Sequence, residues 1–325
     1  MPNKAIGTIL KGVGGLYAVR LTASPLHPTG TLLSCRARGS FRHEHTSPLP
    51  GDTVTVLCPD EPISRDIPKK KKQGETSGYV IDEIHPRRNA LIRPPVANLS
   101  YLFITMAAAA PEPILTTIDK LIAIAEFNRI EPVIVITKNE LHSAYAGELS
   151  ALYTRCGFTC FSVSAVSGEG ISLLDGWIKE HLPGKIAAFA GASGIGKSTL
   201  MNRLFPHLSL STSEISRKIE RGRHTTRQVE LFPLSEGEDC GYIADTPGFS
   251  MLDFERFDFF EKDDLPETMR EFVPYIGGCR YTKCSHTKED GCAILQAVRE
   301  GIIPPSRHAS YLALYEVLKN KKKWN

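Results

Sequence analysis

The sequence has no long hydrophobic run. Its longest apolar stretches are Leu102–Ala110 and Pro132–Thr137. Both fall far short of the roughly 20 residues that a membrane-spanning helix needs. The opening MPNKAIGTILKGVGG lacks the apolar core and cleavage site of a signal peptide, so the cytoplasm is the expected compartment. No internal repeat is visible. Composition avoids the extremes as well, at 42% hydrophobic and 23% charged residues. That excludes a wholly disordered chain, a collagen and a coiled-coil rod. A chain of 325 residues suits two or three domains. Nothing in the sequence calls for an oligomer, and a monomer is expected.

Net charge is only +3, but it is uneven. Residues 1–95 hold 14 Lys and Arg against 8 Asp and Glu, and the remainder holds 25 against 28. The basic first third points to a polyanionic partner. Short strand candidates fill it: Ala5–Leu10, Leu16–Leu21, Thr31–Ala37, Thr53–Cys58 and Gly78–Ile84. Gly and Pro punctuate them, as in a small barrel such as an OB-fold. The lysine-rich stretch 68–75 reads as a basic hairpin or loop, and 87–95 as a linker.

From Leu99 the rhythm becomes strand–helix alternation, the pattern of an α/β domain with a largely parallel sheet. Its helix candidates include Pro113–Asn128 and Ile171–Glu180, and its strands include 133–136, Phe158–Val163 and Ile186–Ala190. The last of these leads into Gly191, Ala192, Ser193, Gly194, Ile195, Gly196, Lys197 and Ser198, a complete G-x-x-x-x-G-K-[ST] phosphate-binding loop. Glycines let backbone N–H groups close around phosphates, and the helix that continues through Thr199 adds positive potential. Lys197 reaches the β and γ oxygens, and Ser198 is a magnesium ligand candidate.

Further along, Asp245–Thr246–Pro247–Gly248 follows a strand. A carboxylate there can hold Mg²⁺ through water, and the Gly248 N–H can meet a γ-phosphate. Phe249 stands where many GTPases place a water-orienting Gln. Between the two motifs lies the segment 221–227. Thr225 and Thr226 are both candidates to complete the magnesium shell, and His224 is a candidate to position the attacking water.

Thr137–Lys138–Asn139–Glu140 follows an apolar strand and resembles the guanine-reading [NT]-K-x-D element. In that element the Lys packs on the base and the carboxylate accepts from N1–H and N2–H₂. Ser164 and Ala165, after the next strand, resemble the element that backs guanine O6 through a backbone N–H. These base-reading elements precede the phosphate loop, whereas an ordinary GTPase has the loop first. A circularly permuted chain builds the same sheet from that order.

Eight cysteines are present. Cys35, Cys58, Cys156, Cys160 and Cys240 are scattered, and Cys156 and Cys160 read as structural. Cys279, Cys284 and Cys292 share one window with His286. Three thiolates and one imidazole form a closed tetrahedral set for structural zinc. Helices follow, with Ser306 as an N-cap candidate.

The order of these motifs resembles that of the RsgA (YjeQ) family of circularly permuted GTPases. Segments 35–42 and 48–52 are also similar to that family's OB-fold, so the resemblance spans residues 5–318. It implies an RNA-binding OB-fold (1–88), a central permuted GTPase domain (89–262) and a zinc-binding helical domain (263–325). It further implies late maturation of the small (30S) ribosomal subunit, with the subunit stimulating hydrolysis. In that family a histidine matching His224 is proposed for hydrolysis, and the position of Phe249 is hydrophobic. Thr137 and Glu140 depart from the more usual Asn and Asp. The competing readings are a P-loop ATPase or small-molecule kinase with an RNA-binding module, and an RNA-docking module that uses nucleotide as a switch.

Overall fold

A computed structural model describes residues 3–43, 46–59, 78–208, 229–237, 239–245 and 260–321, without the side chains of 42, 43, 207 and 245. The described residues fall into two compact units. The first is drawn from Met1–Leu99, His181–Ala188 and Arg223–Pro247, the second from Ser100–Glu180, Phe189–Gly222 and Gly248–Asn325.

The first unit holds a closed five-stranded barrel of β1 (Asn3–Val13), β2 (Leu16–Ala23), β3 (Leu32–Ala37), β4 (Thr53–Cys58) and β5 (Val80–Ile84), with a single helical turn α1 (Ser40–His43) after β3. The order around the barrel is β1-β2-β3-β5-β4. Closure is by β1 against β4, antiparallel from Asn3↔Cys58 to Thr8↔Thr53, and the one parallel pairing is β3 with β5. This is the expected OB-like barrel. Alternation along each strand turns Ile9, Val19, Leu21, Cys35, Val54, Val56 and Ile81 into a dry interior. At the 48–52 segment the buried Asp52 carboxylate accepts from the Leu49 N–H at 2.7 Å and from Arg87 Nε at 2.6 Å. The stretch 87–95 is more than a linker. It contains β6 (Ala90–Leu91), which pairs with β7 (Val96–Ala97).

The α/β portion runs β8 (Leu99–Ala107), α2 (Leu115–Phe127), β9 (Glu131–Thr137), α3 (Ser143–Arg155), β10 (Thr159–Ser162), α4 (Ile171–His181), β11 (Ile186–Ala190), α5 (Lys197–Leu204), β12 (Glu230–Pro233) and β13 (Tyr242–Asp245). Sheet order is β10-β9-β8-β11-β13-β12. Strand β11, which feeds the phosphate loop, is internal. Strands earlier in the chain lie on one side of it and later strands on the other, the arrangement expected of the permuted chain. Strand β12 pairs antiparallel with β13, with Glu230 opposite Asp245. Strands β8 and β9 are almost wholly buried, as a sheet covered on both faces requires. Trp177 of α4 sets its ring edge-on to Tyr101 and Phe103, at centroid distances of 5.0 and 5.8 Å.

In the second unit the cysteine loop is followed by α6 (Ala293–Arg299) and α7 (Pro305–Lys319). Ser306 is not the N-cap of α7. Pro304 holds that place, and Pro305 starts the helix with a φ already suited to it. The buried stripe of α7 contains a charge: Arg307 is 0% exposed. Its guanidinium meets Asp119 of α2 at 2.5 Å and Glu271 at 2.6 Å, and Tyr153 of α3 donates to the same Asp119 oxygen at 3.0 Å. Burial opposes the Arg307 charge, but Asp119 and Glu271 outweigh it and raise its pKa. Among the described residues, no helix is long and apolar enough to cross a membrane.

Removing one member of a buried charge cluster strands the others in low dielectric. Arg307→Leu should therefore cost about 3–5 kcal/mol, read by urea unfolding of the full chain. A loss under about 1 kcal/mol would show that the cluster does not hold α7 to α2.

Candidate functional site

The phosphate loop begins where β11 ends. Thr105, in the neighbouring strand β8, donates its hydroxyl to the Ala190 carbonyl at 2.6 Å. Gly191 follows at a φ of 147°, and a Cβ there would run into the Thr105 carbonyl. Gly194 and Gly196 take φ values of 79° and 90°, open to glycine at no steric cost. Ile195 is buried and anchors the loop, while Ala192, Ser193 and Gly194 are exposed at its mouth. Helix α5 starts at Lys197, with Leu200, Met201 and Leu204 buried beneath it. Lys197 Nζ lies 3.1 Å from the Gly191 carbonyl, across the loop it closes. Ser198 is half-buried and Thr199 exposed on the first turn.

The segment expected to read the base is tied directly to that loop. Thr137, 2% exposed at the end of β9, donates its hydroxyl to the Ile195 carbonyl at 2.5 Å. Lys138 has a φ of 58°, uncommon for a side-chain-bearing residue. That turn aims its ammonium at the Gly194 carbonyl, 2.8 Å away, and at Ala110 O, 2.6 Å away. Glu140 is exposed in the short 3₁₀ turn Asn139–Leu141. The Asn139 N–H donates to Val163 O at 3.4 Å and so joins this turn to the Ser164–Ala165 loop. Ser164 is fully buried, and its hydroxyl accepts from the Ser167 N–H at 2.9 Å. The structure thus brings Thr137, Lys138 and the phosphate loop together, with the Ser164–Ala165 loop bonded to the same turn.

Cys279, Cys284, His286 and Cys292 converge, with all ligand atoms within 4.8 Å of one another. Cys279 Sγ and Cys292 Sγ are 3.8 Å apart, and each lies 3.5 Å from His286 Nδ1. Zn–S and Zn–N bonds of ordinary length at tetrahedral angles give edges of about 3.8 and 3.5 Å, so the cluster could hold such an ion. Burial lowers the His286 pKa and pushes the Cys284 thiol up to about 12. The imidazole is therefore available neutral, and a bound cation would displace the thiol proton to solvent.

His286 sits at a φ of 57° and is held from two sides. On one side Glu289 accepts from the N–H groups of Ser285, Thr287 and Lys288 at 2.8–3.0 Å and from the Ser285 hydroxyl. Burial would raise that carboxyl, but the Ser285 hydroxyl and the backbone N–H groups outweigh it and hold it at about 2. Its contribution to the loop is therefore present above the ordinary value of 4.5 and lost as pH falls toward 2. On the other side α7 supplies His308, 2.9 Å from the His286 carbonyl, and Tyr311, which donates to Ser285 O at 2.7 Å.

The RsgA GTPase family model matches residues 84–255, more than half of the chain, and the RsgA N-terminal domain model matches residues 6–61. The chain belongs to the RsgA GTPase family. A relative from Caldanaerobacter subterraneus subsp. tengcongensis, named small ribosomal subunit biogenesis GTPase RsgA, is 39% identical, covering 98% of this chain and 97% of that protein. One of the same name from Geobacillus thermodenitrificans is 37% identical over 98% and 99%. Among solved structures, YjeQ from Thermotoga maritima superposes with a TM-score of 0.77 at 29% identity, covering 98% of this chain and all of that one. YloQ, described as a circularly permuted GTPase, gives 0.74 at 29% identity, covering 99% and 97%. Membership in the RsgA GTPase family decides for a GTP hydrolase over the ATPase, kinase and non-hydrolysing readings, and such GTPases work with Mg²⁺.

Within this chain, His224, Thr225, Thr226, Gly248 and Phe249 lie outside the described residues, as do the side chain of Asp245 and the lysine-rich stretch 68–75. Asp245 itself is the last residue of β13. Sequence reasoning missed Thr105, whose signal was a hydroxyl set between the apolar Ile104 and Met106 of β8. It also missed Arg307, a charge on the apolar stripe of α7. The Ala110 carbonyl that receives Lys138 had no signal at all, because any residue could supply it. Glu289→Ala should lower affinity for a divalent zinc-like cation about 10–100-fold by freeing His286, read by competition with a chelator. Unchanged affinity would mean that the four ligands need no such support.

Proposed function

We propose that this chain is a Mg²⁺-dependent GTPase that binds the small (30S) ribosomal subunit and its rRNA and acts in late subunit maturation, with the subunit stimulating hydrolysis. The observation that carries this reading is the direct bonding of Thr137 and Lys138 to the phosphate loop, in a chain whose full-length relatives bear the ribosomal name. The division of labour is 1–88 for rRNA, 89–262 for GTP and 263–325 for a structural zinc ion held by Cys279, Cys284, His286 and Cys292. The protein works as a monomer in the cytoplasm.

In this reading the amides of Gly191–Thr199 and the Lys197 ammonium hold the β- and γ-phosphates. Ser198, Asp245 and either Thr225 or Thr226 hold Mg²⁺. The ion, when bound, would supply positive charge against the negative charge that develops on the phosphate oxygens. His224 positions a water for in-line attack on the γ-phosphorus, since Phe249 has no polar group for that task. The bond to the β–γ bridging oxygen breaks, leaving GDP and phosphate. The Gly248 N–H meets the γ-phosphate. Lys138 packs on the base, Glu140 accepts from N1–H and N2–H₂, and the Ser164–Ala165 backbone donates to O6.

Hydrolysis of GTP and ATP, each with and without purified small subunits, tests the whole reading. GTP turnover should rise with subunits, and Lys197→Ala should abolish it, because the loop loses its cation over the phosphates. Near-normal turnover in Lys197→Ala would remove the assignment. Glu140 generates a separate test. Adenine has no donor pair for it, and an unpaired charged acceptor costs more than about 1–3 kcal/mol. GDP should therefore outcompete ADP, and Glu140→Ala should relax that preference about ten-fold or more. Equal binding of GDP and ADP by the unmodified chain would mean that segment 137–140 does not read guanine.

A further inference from the structure

The β12–β13 ribbon is gripped by the barrel. Arg20 of β2 is only 5% exposed, so it offers no charge to a partner at the barrel surface. Its guanidinium is spent on the turn of the ribbon instead. One Nη lies 3.0 Å from Glu236 O and 3.4 Å from both Ser235 O and Gly237 O, and the other lies 3.4 Å from the Tyr242 hydroxyl on β13. The β2–β3 loop closes over this contact at Gly30. A Cβ there would stand 3.2 Å from Arg20 Nη2 and 3.6 Å from Glu236 O.

A second grip sits at the far end of the ribbon. Lys11 of β1 pairs with Glu230 of β12 at 2.5 Å. Glu230 is the ladder partner of Asp245. The barrel therefore holds the ribbon both at its turn and at the residue opposite Asp245, through a buried guanidinium at one end and a half-exposed ion pair at the other.

We propose that Arg20, assisted by Lys11, is a positioning residue for GTP hydrolysis. It makes the barrel and the β12–β13 ribbon one body, so that a ribosomal particle seated on the barrel acts on Asp245 through the ribbon. This rests on the reading above that the barrel meets the small subunit and that Asp245 serves the magnesium ion. The physical basis is stiffness. Three carbonyls in the turn and one hydroxyl share a single planar fork, which Lys or an apolar residue cannot reproduce. Misplacement of a magnesium-holding strand by about an ångström is enough to slow a positioned reaction strongly.

The test uses the full-length chain, purified small subunits at saturation and GTP. Arg20→Met should lower the stimulated kcat about ten-fold while KM for GTP moves by less than about three-fold, because most of the ground-state hold on the nucleotide comes from the phosphate loop and the 137–140 turn, outside the ribbon. Amide exchange in the Ser235–Tyr242 segment should quicken, with the barrel strands unchanged. Lys11→Ala and Glu230→Gln should each lower the stimulated kcat about three-fold, as befits a half-exposed pair. The double variant should lose no more than either, and the exchange Lys11→Glu with Glu230→Lys should restore the rate. A folded Arg20→Met chain with stimulated kcat within about two-fold of the unmodified chain overturns the proposal. Should Arg20→Met fail to fold, the Lys11 and Glu230 variants decide, and an unchanged stimulated kcat in them overturns it. If subunits do not stimulate the unmodified chain, the functional reading falls and this inference falls with it.

Discussion

The glycine-rich loop of residues 191–198 depends for its order on the hydroxyl of Thr137 and the ammonium of Lys138 meeting its carbonyls. A glycine-rich loop has little conformational preference of its own, and its backbone must be ordered before it can cradle phosphates. Here the order comes from outside the loop. Thr137 takes the buried Ile195 carbonyl, Lys138 takes Gly194, and Thr105 takes Ala190 just upstream. The loop that would read the base and the loop that would hold the phosphates are thereby one hydrogen-bonded object. Thr137 makes this link with one hydroxyl donor, which is all that the Ile195 carbonyl requires.

A comparable logic holds the Cys₃His cluster. Four side chains from a 14-residue window cannot fix their own geometry, since His286 adopts a left-handed backbone. Glu289 stitches the turn from within the loop, and His308 and Tyr311 brace it from α7. The next residue on that helix, Arg307, is committed to Asp119 and Glu271 in the interior. The cluster is thus supported by a helix that is itself anchored to α2 of the nucleotide-binding portion. The C-terminal segment is therefore built into the second unit.

Much of this was legible in the chain before any coordinates. The five barrel strands lie within a few residues of where alternation and turn residues placed them, because each has one dry face and Gly or Pro at its ends. Strands β8, β9 and β11 were legible as unbroken apolar runs. Other features were misread or missed for identifiable reasons. Ser306 looks like an N-cap by residue type, yet the helix starts at Pro305, whose ring sets the helical φ and needs no donor. Strand β12 escaped notice because four residues at a sheet edge carry almost no periodic signal. The two-residue strands β6 and β7 are too short to have any.

Sequence alone was sufficient to mark out residue types at fixed spacing. The phosphate-loop motif, the four residues that could hold a metal and the permuted order of the motifs are local properties of the chain, readable because phosphate and metal coordination demand particular atoms at short separation. The long-range pairings were decided only by the tertiary structure. Arg20 against the turn at Ser235–Gly237, Arg307 against Asp119, and Thr137 against Ile195 join residues 58 to 217 positions apart. No spacing rule predicts them, because their partners are mostly backbone carbonyls that every residue possesses. What makes each pairing strong is burial, which strips away competing water and which exists only once the elements have packed.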